Sequence, residues 1–226
     1  GTGLALLFVD LDRFKFVNDT FGHDIGDKLL REVGRVLRSN VRADDIVGRV
    51  GGDEFMVALL GVTAEDMAGQ VARSLVRELS APIAVDEREL QVSASIGISL
   101  YPRDGTNAEE LLHSADAAMY QVKEGGKNAY HFSTLEVRTR LSRRLELERM
   151  LRRALTDNQF EIVYQPQVRL DDSSLIGFEA LLRWRSPELG VVSPAEFIPV
   201  AEEAGLIGPI GHWTLRESAL QLQAWQ

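Results

Sequence analysis

Apolar and polar positions alternate along the 226 residues in blocks that predict secondary structure. Leu4 to Val9 is a short continuous apolar run, the pattern of a buried strand, and it ends in Asp10 and Asp12. Ile25, Leu29, Val33 and Leu37 recur every fourth position and predict a helix that Asp24 or its neighbours can cap. Ile46 to Val50 and Phe55 to Leu59 flank Gly51-Gly52-Asp53-Glu54, which predicts a hairpin. Thr63 with Asp66 three residues later predicts a capping box, opening a helix through Met67, Val71, Leu75 and Leu79. Val92, Ala94, Ile96, Ile98 and Leu100 alternate with mainly polar or small residues, as in a half-buried strand. Asn107 with Glu110 starts another helix, Gly125 and Gly126 stop it, and Asn128 to Phe132 supplies a last strand. The order strand, helix, hairpin, helix, strand, helix, strand predicts an α+β fold with helices packed on a mainly antiparallel sheet.

The pattern changes after Phe132. Residues 134 to 157 are rich in Arg, Glu and Leu, without internal Gly or Pro, and predict one amphipathic connecting helix with Leu141, Leu145, Leu151 and Leu155 among its apolar positions. Strand-like segments follow at Phe160 to Tyr164 and Leu175 to Leu182, then helical ones near Ala195 to Ala204 and His212 to Trp225. Two strands and two helices do not close a core by themselves. The sequence therefore predicts a first domain over residues 1–132, a linker helix over 133–157, and the opening part of a second domain over 158–226.

Composition narrows the chemistry. Hydrophobic residues make up 45% and charged residues 26% of the chain, an ordinary globular balance. The net charge of -9 argues against duplex nucleic acid as a partner, since that requires a basic surface. With 0 cysteines, disulfides and thiolate metal sites are excluded, and any metal must sit on Asp, Glu, His or Asn. His23, His113, His131 and His212 do not cluster along the chain. No apolar run approaches the roughly 20 residues that cross a bilayer, and Gly1 to Phe8 lack the basic leader of a signal peptide. This segment is expected to be cytoplasmic, in a parent protein that can carry a membrane anchor elsewhere.

The acids then become the candidate site. Asp10 ends a buried strand and Asp53-Glu54 sits in a tight hairpin; if the two elements are neighbours in one sheet, three carboxylates converge at its edge. Oxygen-only ligands suit magnesium or manganese. Two such ions can activate an attacking hydroxyl and stabilise a leaving oxygen in phosphoryl chemistry. Spacing alone leaves open a solvated hairpin tip with two ordinary acids.

Longer motifs carry more. Leu7 to Lys15 (Leu-Phe-Val-Asp-Leu-Asp-Arg-Phe-Lys), Val17 to His23 (Val-Asn-Asp-Thr-Phe-Gly-His) and Gly26-Asp27 resemble the opening strand and first loop of GGDEF domains. Gly51-Gly52-Asp53-Glu54-Phe55 is that family's name-giving motif, and Lys123-Glu124-Gly125-Gly126-Lys127-Asn128 resembles its closing lysine and glycine segment. The resemblance runs from Leu4 to about Phe132. It implies a palm-like, nucleotide-cyclase-like antiparallel sheet and a diguanylate cyclase that condenses two GTP into cyclic di-GMP with release of pyrophosphate. It further implies two Mg2+ (or Mn2+) ions per GTP site, on Asp10, Asp53, Glu54 and the Leu11 carbonyl. Asp53 would help to deprotonate the attacking ribose hydroxyl, with Glu54 beside it. Asn18 and Asp27 would read guanine, backbone N–H groups near Phe14 and Lys15 would cradle the terminal phosphates, and Lys123 and Lys127 would touch the phosphates. Many relatives have Arg where this chain has Lys127; lysine keeps the charge and loses the bidentate fork. Asp12, on the same strand face as Asp10, is either a further carboxylate of the site or a brace for the loop. Arg42 and Asp45 have the spacing of the family's inhibitory product site for cyclic di-GMP. Catalysis between two GTP-loaded subunits implies a homodimer. GGDEF domains usually open with a helix and an Asp-x-Leu-Thr-Gly-Leu-x-Asn-Arg segment, which is not in this chain.

Tyr164-Gln165-Pro166-Gln167, Gly177 to Trp184 (Gly-Phe-Glu-Ala-Leu-Leu-Arg-Trp) and Pro194 to Leu206 resemble the start of an EAL domain. EAL relatives hydrolyse cyclic di-GMP in a (β/α)8 barrel, which needs about 250 residues. The resemblance implies Glu179 as a metal ligand, Arg183 as a phosphate contact and Gln165 as a ligand contact. The barrel is incomplete here, and this segment is not expected to hydrolyse the dinucleotide, although a full-length parent can. A second class of function stays open: a catalytically silent module that senses GTP or cyclic di-GMP and regulates an EAL phosphodiesterase.

Overall fold

The first apolar run forms strand β1 (Leu4–Asp12), which continues through both acids. In a computed structural model that describes residues 3–225, the Arg138 side chain excepted, β1 is the middle of a five-stranded sheet. Its neighbours are β3 (Glu54–Leu60) and β6 (Ser93–Tyr101), with β2 (Ile46–Gly51) and β7 (Ala129–Phe132) at the edges in the order β2-β3-β1-β6-β7. Only the β6–β7 pairing is parallel in this sheet.

Period-two alternation separates the two faces of β1. Ala5, Leu7, Val9 and Leu11 join a core with Leu29, Val33 and Leu37 of helix α2 (His23–Ser39) and Leu75 and Leu79 of helix α3 (Glu65–Ser80). On the opposite face Phe8 packs against Ala115 and Met119 of helix α4 (Ala108–Glu124). The approach of α4 to β6 depends on Gly97, where a Cβ would lie 1.9 Å from the Ala115 carbonyl oxygen. Helices thus cover both faces, and β6 is buried on both sides rather than half-buried as its alternation suggested. The alternation misleads because Ser95, Gly97 and Ser99 are small enough to lie beneath a helix.

Three local expectations change. The first helical region is two helices, α1 (Phe14–Phe21) and α2, broken at Gly22, whose φ of 84° lies where glycine is favoured. Thr63 does not cap α3: the N-cap is Ala64, without a side-chain hydrogen bond. A small hairpin of β4 (Ile83–Val85) and β5 (Arg88–Leu90) intervenes before β6, each strand too short to show a period. The Asn107 cap does form, accepting from the Glu110 N–H at 2.9 Å.

The chain divides into two compact units, one reaching Arg140 and the other beginning at Leu141. The division falls within helix α5 (Leu135–Ala154). The second unit adds β8 (Phe160–Val168), β9 (Leu175–Ser186), β10 (Gly190–Val192), α6 (Pro194–Glu203) and α7 (Ile207–Trp225). Its core gathers Leu147, Leu151, Phe160, Trp184, Phe197 and Ile210, and the Trp184 indole N–H donates to the Gln159 side chain at 3.0 Å. Its strand pairings, β10-β9-β8, are antiparallel, so the barrel expectation rests on resemblance alone. Both units mix sheet and helix, as the α+β expectation has it. No helix among the described residues is long and apolar enough to cross a membrane.

Candidate functional site

The register of the central sheet places the acids. Asp10 on β1 stands directly opposite Glu54 on β3, and the next residue, Leu11, donates its N–H to the Asp53 carbonyl at 3.3 Å. The β2–β3 turn runs through Gly52, at φ 49°, and the Arg49 guanidinium grips it with two hydrogen bonds to the Gly52 carbonyl, at 3.0 and 2.7 Å. Arg49 was not singled out in the sequence because its role is local to the turn.

Asp10 shares a face with Phe8, beneath α4, and its side chain is nearly buried. Lys123, in the last turn of α4, places its ammonium 2.7 Å from Asp10 Oδ2. Burial pushes the Asp10 carboxyl above its ordinary pKa; Lys123 opposes this, and the charges of Asp53 and Glu54 add to it. The three acids are therefore electrostatic neighbours at one sheet end. The side chains do not yet form a cage: among the described residues, no group of three or more Asp, Glu or His side chains is gathered closely enough to hold a metal ion. The expected convergence is thus one of strand positions. The all-oxygen donor set fits magnesium or manganese.

Asp12, two residues on, is committed elsewhere. It is buried and accepts from the Ser93 hydroxyl at 2.6 Å, the Ser95 hydroxyl at 2.8 Å and the Asn128 N–H at 3.1 Å. Of its two readings, bracing matches these contacts.

Past β1, Arg13 adopts φ 62° and α1 begins at Phe14. The leading N–H groups of a helix have no intrahelical acceptor and carry its positive dipole end, which is the position of Phe14 and Lys15. The Phe14 ring is buried and Lys15 is exposed. Asn18 turns toward α2: a Cβ on Gly26 would fall 1.9 Å from Asn18 Oδ1, so only glycine leaves space for the amide. That oxygen is buried with no hydrogen-bond partner among the described residues. A buried unpaired acceptor is costly, and a ligand N–H would satisfy it. Asp27, the residue after Gly26, is exposed.

Lys127 lies beyond the end of α4, exposed and at φ 68°, with its N–H bonded to the Val122 carbonyl at 2.9 Å. Asp116 was not anticipated. It sits on α4 seven residues before Lys123, burial raises its pKa, and the charges of His113 and Lys123 lower it. Helical spacing to Lys123 was the available signal.

The Arg42–Asp45 pair forms a different structure. The Asp45 carboxylate is buried and accepts from the Arg42 N–H at 2.8 Å and the Leu60 N–H at 2.9 Å. It closes its own turn, which leaves the exposed Arg42 as the more available group. Both line a groove of about 300 Å3 with Val41, Leu60, Met67 and Gln70.

In the second unit Gln165 and Glu179 are cross-strand partners, both exposed. Arg183 lies on the same face of β9 by its period of two, and donates to the neighbouring Leu182 carbonyl at 2.9 Å.

Residues 1–129 match the family described as diguanylate cyclase, GGDEF domain, and residues 148–226 match the EAL domain. A bifunctional diguanylate cyclase/cyclic di-GMP phosphodiesterase, MucR of Pseudomonas aeruginosa, is 45% identical over 98% of this chain and 32% of its own length. The cyclic di-GMP phosphodiesterase NbdA of the same organism is 42% identical over 99% of this chain and 28% of its own length. The chain thus spans a third or less of these curated relatives. Among solved structures, the isolated GGDEF domain of YfiN (TpbB) from Pseudomonas aeruginosa aligns with a TM-score of 0.60 at 36% identity, covering 62% of this chain and 82% of that one.

Proposed function

This chain belongs to the GGDEF family of diguanylate cyclase domains, continued by part of an EAL domain, and from that premise we propose that its first unit joins two GTP molecules into cyclic di-GMP. The observation that carries the reading is the register pairing of Asp10 with Glu54, with Asp53 at the adjoining turn. In each half-reaction the 3′-hydroxyl of one GTP attacks the α-phosphorus of the other. A new P–O bond forms, the bond to pyrophosphate breaks, and the hydroxyl proton leaves to a base. Two turns of this cycle close the ring and release two pyrophosphates. Two copies of the chain must face each other, because each holds one GTP.

The roles come from the family resemblance, and the positions are compatible with them. Asn18 and Asp27 hold guanine, whose N–H donors match the unpaired amide oxygen and the carboxylate. The Phe14 and Lys15 N–H groups and the charges of Lys123 and Lys127 hold the phosphates. Asp53, less buried than Asp10, takes the hydroxyl proton, and Glu54 holds its place beside it. Asp10, Asp53, Glu54 and the Leu11 carbonyl would hold two Mg2+ or Mn2+ ions, which screen phosphate charge and acidify a bound hydroxyl. Arg42, with Asp45 shaping its turn, binds the product as a feedback site. The palm-like sheet belongs to this reading, as does a cytoplasmic site where GTP is available. The second unit is the opening of an EAL barrel, with Glu179 and Arg183 of β9 and Gln165 of β8 on one sheet face.

A second reading is a silent unit that binds GTP or cyclic di-GMP to regulate an EAL phosphodiesterase. It is favoured by NbdA, a similar chain named for phosphodiesterase activity alone. Incubation of the purified chain with GTP and magnesium, with products identified by mass spectrometry, separates the two. Cyclic di-GMP and pyrophosphate are expected. GTP that is bound and recovered unchanged would favour the silent unit.

A further inference from the structure

Asp12 is the most heavily engaged carboxylate of the central strand, and its contacts join parts distant in sequence. Two of its donors, Ser93 and Ser95, lie on the neighbouring strand β6. The third, the Asn128 N–H, is 116 residues away, in the turn between α4 and β7. In that turn both Lys127 and Asn128 have positive φ, 68° and 50°, a conformation that costs energy in residues with side chains. Such a turn persists only when its surroundings hold it. It is held on three sides: by Asp12 from β1, by the Ser80 hydroxyl, which donates to Asn128 Oδ1 at 2.6 Å, and by the Val122 carbonyl of α4. Directly after the turn, Ala129 pairs with Ser95, the same serine that donates to Asp12.

We propose that Asp12 is a positioning residue for phosphate binding. It touches no nucleotide. It fixes the Lys127 turn, and so holds Lys127 where the phosphates require it. The proposal rests on the nucleotide-binding reading above. The chemistry of the contacts separates this role from metal binding. An amide at position 12 can still accept from Ser93 and from the Asn128 N–H through its oxygen, while its NH2 donates to the Ser95 hydroxyl, which is able to accept. Asparagine therefore preserves the brace but would not replace a metal-bound carboxylate.

The test is equilibrium binding of a fluorescent, non-hydrolysable GTP analogue with magnesium, using the full chain. Asp12→Ala is expected to weaken binding about tenfold, the scale of losing hydrogen bonds to a charged group. Asp12→Asn should stay within about twofold of the wild type, the resolution of such comparisons. In a Lys127→Ala background, Asp12→Ala should add little, because the side chain it positions is already gone. Ser80→Ala loosens the same turn from α3 without emptying a buried site, and should give a smaller loss that also vanishes in the Lys127→Ala background; it serves if Asp12→Ala does not fold. Asparagine as damaging as alanine would overturn the proposal in favour of a charge role. Full additivity of either variant with Lys127→Ala would overturn it as well. A wild-type chain that does not bind the analogue would remove the nucleotide reading, and this proposal with it.

Discussion

Two cross-strand pairs carry the candidate acids, Asp10 with Glu54 and Gln165 with Glu179, and their surroundings differ in kind. The first lies on the central strand of a five-stranded sheet with helices on both faces. Asp10 is 7% exposed, faces a lysine and is pushed toward protonation by burial. The second lies on a three-stranded sheet, with both residues exposed and apolar Val163 and Leu175 exposed along with them. A carboxylate gains chemical leverage from a low-dielectric neighbourhood and fixed partners. Asp10 has both, while among the described residues neither Gln165 nor Glu179 has a buried setting or a side-chain partner. The same kind of motif position thus lies in two different physical settings.

The widest separation should come from removing one acid at each of the two sites, Asp53 beside the first pair and Glu179 in the second. Asp53→Asn should lower cyclic di-GMP formation by about a hundredfold or more with circular dichroism unchanged, since metal assistance is worth several kcal/mol. Glu179→Gln should leave synthesis at the wild-type rate. Near-wild-type synthesis in Asp53→Asn would break the comparison at its functional end.

Packing gives the next contrast. Gly97→Ala drives a Cβ into the backbone of α4 and should cost about 1–3 kcal/mol or more in denaturant unfolding. Gly177→Ala, on β9, meets nothing within 4 Å and should stay within about 0.5 kcal/mol of the wild type. Equal effects would mean that the first sheet is not more tightly covered than the second.

Arg42→Ala should raise the concentration of cyclic di-GMP needed to halve the initial rate, by about tenfold if a bidentate phosphate contact is lost, without abolishing synthesis. Rate measurements at rising product concentration check it, and an unchanged inhibition curve would reduce Arg42 to a surface residue.

The smallest effect concerns pH. Because burial raises the Asp10 pKa in the folded state, the folded protein holds that proton more tightly than the unfolded chain. The stability contributed by this carboxyl is then greatest at low pH. It declines as pH rises from the ordinary carboxylate range through the raised folded value. Asp10→Asn should accordingly raise the thermal midpoint slightly at neutral pH, despite losing the Lys123 pair, because burial outweighs that pair. The difference should fade on acidification. A midpoint lowered at neutral pH would show that the lysine pair dominates.

The sequence made some of this legible and concealed the rest for physical reasons. The continuous run Leu4 to Val9 marks a central strand because both faces are covered, and long motifs drew attention to Asp10, Asn18, Asp53 and Lys123 as candidates, of which folding sets Lys123 against Asp10. The hairpin at Ile83 to Leu90 escaped notice because three-residue strands have no readable period. The Thr63 cap failed because the helix starts two residues later, and short capping patterns do not fix their register. Asp116 and the commitment of Asp45 and Asp12 to backbone and serine donors depend on residues brought together by folding. Spacing could not reveal the contacts of Asp45 and Asp12, and for Asp116 it offered only the helical interval to Lys123.

The central claim is that the covered pair is the reactive one in this chain. The most direct measurement gives one purified preparation, with magnesium, isotope-labelled GTP in one tube and labelled cyclic di-GMP in another, and separates the products by chromatography. The account predicts cyclic di-GMP from the first, lost on Asp53→Asn, and intact cyclic di-GMP in the second. Conversion of cyclic di-GMP to the linear dinucleotide, abolished by Glu179→Ala and accompanied by no synthesis from GTP, would contradict it.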